Sequence, residues 1–211
     1  MPRPHIEPYD ERPAPFKRMT LPGFGKGMHY KVLSMDTETG ACSLKVKFES
    51  GYKLPPGMSY AELEMFVVSG SITYGDTTYG DGYYFLIPPG VSMPEMRVKK
   101  GAVVLMFYNY GEPSFIPSDE DHPLAERYRL SIIDSMKDIN WMPGNRIVPS
   151  VASGCMLKPL KYDPDTEAMP WAKSLNTDGQ TVELNKYIPS ISEMAYIIST
   201  NAQFNGALIG D

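Results

Sequence analysis

The chain is 211 residues long, room for one large domain or two small ones. A formal net charge of −5 argues against nucleic acid as the main partner, and no segment has the apolar length of a membrane span or a signal peptide. Cys42 and Cys155 are too few for a disulfide framework and lack metal-site spacing, so a reducing, cytoplasmic setting is expected.

In chain order, residues 1–27 are rich in proline and predict an extended arm. Short runs of β-branched and aromatic residues follow, predicting strands over Tyr30–Met35, Cys42–Phe48, Glu62–Val68, Ser71–Tyr74, Tyr83–Ile87 and Ala102–Asn109. Turn residues separate them, as in Glu38-Thr39-Gly40, Pro55-Pro56-Gly57 and Pro88-Pro89-Gly90. Many short strands at this spacing predict an all-β sandwich or jelly roll. Residues 116–126 turn polar and carry prolines, as a linker would, and residues 127–211 are expected to form a second unit.

An internal repeat supports two related units. Glu64–Gly70 resembles Met194–Thr200 at an offset of 130, and the same offset sets Gly80-Asp81 upon Gly210-Asp211. Gly40–Lys45 also resembles Gly154–Lys158, with an insertion around Asp163–Asn176 explaining the changed offset. The second copy ends before the strands that close the first. It is therefore expected to be partial, with exposed edges that favour a homodimer.

Residues 28–115 resemble the cupin family of double-stranded β-helix barrels. Gly51 to Glu64, leading into Met65–Gly70, follows the first cupin motif, and Gly82 through Pro88-Pro89-Gly90 to Met93 follows the second. Over residues 127–211 the resemblance rests on Trp141–Gly144, the repeat and Glu193. It implies a jelly-roll barrel that usually holds one divalent metal through histidines. Here Met58 and Tyr60 stand near the paired histidines and Met93 stands at the third, while Lys186-Tyr187-Ile188 occupies the matching stretch of the second copy. Two thioethers, a phenol and a carboxylate are a poor set for iron, manganese or zinc, so no metal and no other cofactor is expected. The chain's histidines, His5, His29 and His122, lie in the arm, before a strand and in the linker.

Strand alternation puts Glu62, Glu64 and Phe66 on one face of their strand, joined by Met58 and Tyr60 if the strand is extended back. With Met93 and Arg97 from the second motif, these side chains are expected to line an apolar, sulfur-rich pocket for a small molecule. Arg97 beside Lys99-Lys100 fits a solvated turn equally well. Four functions stay open. The first is a metal-free barrel binding an apolar, aromatic or carbonyl ligand, and the second is a metal-independent isomerase or lyase using Glu64 and Tyr60 as proton-transfer groups. The third is a dioxygenase-type enzyme with atypical ligands, and the fourth is a purely structural role.

Overall fold

The computed structural model describes residues 11–146 and 155–161, with the backbone of strands at 171–175, 196–197, 202–204 and 207–209. The fold is all-β, and its only helices among the described residues are two 3₁₀ turns, Arg127–Arg129 and Gly144–Arg146. No helix among these residues is long and apolar enough to cross a membrane. The chain divides into two units after Asp134.

The first unit contains strands β1 (Lys17–Arg18), β2 (Met28–Met35), β3 (Cys42–Phe48), β4 (Tyr52–Leu54), β5 (Gly57–Met58), β6 (Glu62–Gly70) and β7 (Ile72–Tyr74). Further along come β8 (Thr77–Tyr79), β9 (Tyr83–Ile87), β10 (Met96–Val98), β11 (Ala102–Asn109), β12 (Ile116–Pro117) and β13 (Ser131–Asp134). A seven-stranded antiparallel sheet runs β1-β2-β3-β11-β6-β9-β13, and a four-stranded one runs β4-β10-β7-β8. Alternation builds the core between them. On β3, Cys42, Leu44, Val46 and Phe48 point inward, and on β11 Ala102, Val104, Met106 and Tyr108 do the same. Tyr52, Ile72, Tyr74, Met96 and Val98 of the smaller sheet close the other side.

The segment expected to be a linker is part of this unit. Ile116–Pro117 pairs with Gly57–Met58, and the His122 N–H donates to the Gly90 carbonyl at 2.8 Å. Gly90 has φ of 73°, and a Cβ there would stand 2.7 Å from the Cβ of His122, so the Pro88-Pro89-Gly90 turn needs glycine on both counts. Asp121 accepts from the Ser92 N–H at 2.8 Å and from Arg127, which also reaches the Ser92 carbonyl. The boundary expected at residue 126 lies instead after Asp134, because Ser131–Asp134 pairs along the whole of its length with Tyr83–Leu86. Within the expected arm, Lys17–Arg18 pairs with β2, and Glu11 binds both Lys31 and Lys45.

In the second unit, β14 (Met142–Pro143), β15 (Cys155–Pro159), β16 (Trp171–Leu175) and β17 (Tyr196–Ile197) form one sheet, with β16 and β17 parallel. β18 (Ala202–Phe204) and β19 (Ala207–Ile209) pair separately. Lys158 is buried, sits 4.8 Å from the Trp141 ring and donates to the Ser135 carbonyl. Of the repeat, Tyr196–Ile197 is a strand, whereas Lys186-Tyr187-Ile188, Glu193 and Gly210-Asp211 lie outside the described residues.

Candidate functional site

The interior of the first unit holds a small cavity, about 40 Å³, lined by six methionines: Met28, Met58, Met65, Met93, Met96 and Met106. Aromatic rings complete the wall, and Tyr52, Tyr74 and Tyr108 supply its phenolic hydroxyls. The Tyr52 hydroxyl accepts from the Gly25 backbone and lies 3.9 Å from the Met28 sulfur. Burial pushes the Tyr52 phenol up to about 12, and burial raises the Tyr74 and Tyr108 phenols above their ordinary range as well. These three groups are therefore neutral at any physiological pH. No lysine, arginine, histidine or carboxylate is among the lining residues.

The half-buried side chains of Phe24, Met58 and Phe115 stand at the mouth of this cavity. The Phe24 and Phe115 rings meet at 6.0 Å. Phe115 reaches its position because residue 57 is glycine: a Cβ there would lie 2.3 Å from the Phe115 Cζ and 2.6 Å from the Ile116 carbonyl oxygen. Ser59 and Ser114, also at the rim, are engaged with each other at 3.2 Å and with the backbone N–H groups of Ala61 and Tyr60.

Glu62 and Glu64 are not in the cavity. Leu63, Met65 and Val67 turn inward from β6, so the expected assignment of faces is reversed: Glu62, Glu64 and Phe66 point to the other side of the sheet. Both carboxylates are nonetheless buried, at 1% and 3% exposure. Glu64 accepts from the Tyr84 hydroxyl at 2.7 Å and from Asn109 Nδ2 at 2.8 Å, and the same amide approaches Glu62 at 3.3 Å. Arg129 donates to Glu62 at 2.6 Å and to Glu126 at 3.0 Å. Sheet register explains the grouping, since Asn109 stands opposite Glu62, and Tyr84 is two residues from Leu86, the residue opposite Glu64. Burial and the neighbouring Glu64 charge push the Tyr84 phenol well above its usual range.

The remaining expected residues are dispersed. Met58 and Met93 do line the cavity, joined through the Gly57–Met93 backbone bridge. Tyr60 is 64% exposed and contributes only its backbone N–H to the rim. Phe66 is buried on the same face as Glu64, opposite Tyr84, and Arg97 lies on β10, paired with Glu95 and bonded to the Gly75 carbonyl. The expected convergence of Glu64, Tyr60 and Met93 is thus replaced by two separate assemblies, one apolar inside and one ionic outside. Sequence reasoning missed Tyr74, Tyr108, Tyr84, Asn109 and Arg129. An asparagine ending the apolar run of β11 was the one visible signal.

A divalent metal does not fit the interior. Its side-chain donors are thioethers, neutral phenols and the two rim serine hydroxyls, a set without imidazole or carboxylate that suits neither hard nor borderline ions. His29 is bound to Glu49 at 2.7 Å, and His122 Nδ1 accepts from the Leu124 N–H. Among the described residues no three His, Cys, Asp or Glu side chains are grouped as metal ligands.

The profile of the family described as "Domain of unknown function (DUF4437)" matches residues 22–207. The chain belongs to that family. No curated protein matches it. Among solved structures, a protein of Nostoc punctiforme provisionally named a dioxygenase is similar to this DUF4437 chain, with 24% identity and a TM-score of 0.66. The match covers 74% of this chain and 56% of that one, so the chain spans little more than half of that protein's length. A Methylibium petroleiphilum protein provisionally named an acetylacetone dioxygenase matches at 15% identity and a TM-score of 0.46, over 57% of this chain and 88% of its own. A Ralstonia eutropha protein of unknown function with a cupin-like fold matches at 18% identity and a TM-score of 0.38, over 46% and 66%. The fold of this DUF4437 member is all-β, built of antiparallel sheets in its first unit, and it is similar to the fold of the Nostoc protein.

Proposed function

We propose that the first unit is a metal-free cupin barrel that binds a small, neutral, largely apolar molecule in its interior. The observation that carries this reading is the cavity lined by six methionines and ringed by aromatic side chains. Pockets for small molecules are mostly apolar with a few placed polar groups, and this lining has that character. As it stands, 40 Å³ holds a few waters. Met side chains are unbranched and have three rotatable bonds, so Met58 and Met93 are the means by which the space enlarges around a one-ring ligand.

The lyase or isomerase reading required Glu64 and Tyr60 on one substrate, and the geometry gives it no support. A dioxygenase activity, the name carried by the Nostoc protein, would require ligands that the interior does not offer. The test is a titration of the full chain with one-ring neutral compounds, followed by protein-observed NMR. Shifts confined to the methionine methyls of the cavity are the expected result. Shifts at the outer face alone, or none up to the solubility limit, would refute the reading. Stoichiometric iron, nickel or manganese bound inside the barrel would refute its metal-free part.

A further inference from the structure

Tyr74 and Tyr108 are buried at 8% and 1% exposure, and both line the cavity. Neither hydroxyl has a hydrogen-bond partner among the described residues, whereas the third phenol, Tyr52, is engaged with Gly25 and Met28. They come from opposite walls, Tyr74 from β7 of the smaller sheet and Tyr108 from β11 of the larger. They are close enough that charge on Tyr74 or Tyr52 would oppose ionisation of Tyr108. Neither oxygen is among the sealed, unpartnered side-chain polar atoms of the described residues, so both hydroxyls are open to the cavity and offer their hydrogens to whatever fills it.

We infer that Tyr74 and Tyr108 are the recognition groups of the cavity, donating together to the carbonyl oxygen of a ketone or aldehyde on an otherwise apolar molecule. This inference rests on the binding reading above and names its ligand class. A carbonyl oxygen has two lone pairs and no hydrogen, so two phenolic donors satisfy it completely. An alcohol would bring a hydrogen needing its own acceptor, and the wall's other hydroxyls, Ser59 and Ser114, are already occupied. A carboxylate or phosphate would enter a wall that holds no cation to offset its desolvation. The chemistry therefore selects a neutral carbonyl compound.

The test compares cyclohexanone with methylenecyclohexane, which has the same shape but carries CH₂ in place of the oxygen. Affinities are measured on the full chain by NMR titration. The ketone is expected to bind about tenfold more tightly, the worth of two neutral hydrogen bonds. In the double variant Tyr74→Phe, Tyr108→Phe, that preference should vanish while the hydrocarbon affinity stays unchanged. Equal binding of the two compounds by the unaltered chain would overturn the inference and leave the pocket reading standing. So would a preference that survives in the double variant. Binding of neither compound would overturn both. A second measurement guards against a structural role: the unliganded double variant should be at least as stable to urea, since no bond is lost. Marked destabilisation would show that the hydroxyls serve the fold, and the assignment would fall.

Discussion

Tyr84 donates its hydroxyl proton to Oε2 of Glu64 across 2.7 Å, on the side of β6 turned away from the cavity. Oε1 of the same carboxylate accepts from Asn109, so both oxygens are held. Through these bonds the side chains tie β9 and β11 to β6, where the backbones already pair. A carboxylate used in this way belongs to the sheet.

Glu64→Gln should therefore lower stability without touching the interior. One end of the new amide presents hydrogens to Asn109 or to Tyr84, and losing a charged acceptor costs about 1–3 kcal/mol. Urea denaturation should show that loss, while cyclohexanone affinity stays within twofold of the unaltered chain, a bound of about 0.4 kcal/mol. A drop in affinity at unchanged stability would mean that Glu64 does reach the ligand.

Gly57→Ala should disturb the mouth. The added methyl meets the Phe115 ring and the Ile116 carbonyl at distances no real Cβ tolerates, so β12 must move off β5. Overpacking of this kind costs about 1–3 kcal/mol. The measurable sign is faster ligand exchange along with a lower urea midpoint. Unchanged exchange would place the entrance elsewhere.

Met106→Ala should trade stability for room. Met106 is buried and lines the cavity, and truncations of this type cost about 2–5 kcal/mol because the surroundings collapse only in part. The same variant should accept a larger ketone that the unaltered chain binds poorly. Destabilisation without any change in ligand size preference would count against the cavity as the site.

Acid should release the N-terminal segment before it unfolds the barrel. Burial raises the Glu11 carboxyl, but the bonds to Lys31 and Lys45 outweigh it and hold the group below its ordinary 4.5. With the folded value lower than the unfolded one, the contribution to stability is complete above the unfolded value. It is lost as pH falls through the folded value. Hydrogen exchange of residues 14–19 should quicken over that acid range, and Glu11→Gln should exchange quickly at every pH. A segment equally protected at neutral and acid pH would refute the link.

Much of the fold was legible because long apolar runs bounded by turns leave few alternatives: Cys42–Phe48, Tyr83–Ile87 and Ala102–Asn109 form strands over those very residues. Three-residue strands such as β4 and β10 were missed, since a run that short carries no periodicity. The partition of β6 into two sets of side chains was also legible, but not which set faces in. Polarity identifies the inner face only where the outer one meets water, and Glu62, Glu64 and Phe66 are all buried. Nor could the sequence announce Arg129 as a partner of Glu62, because 67 residues separate them and only the folded sheet brings them together.

The methionine lining also determines how the barrel would age under peroxide. A sulfoxide adds a polar, chiral oxygen to a wall that depends on flexible apolar chains. Among the lining methionines Met58, half-buried at the mouth, meets the oxidant first, while Met65 and Met96 stay sheltered until the barrel opens. Damage should therefore begin at the entrance as a loss of ligand uptake, well before it reaches the core as a loss of structure.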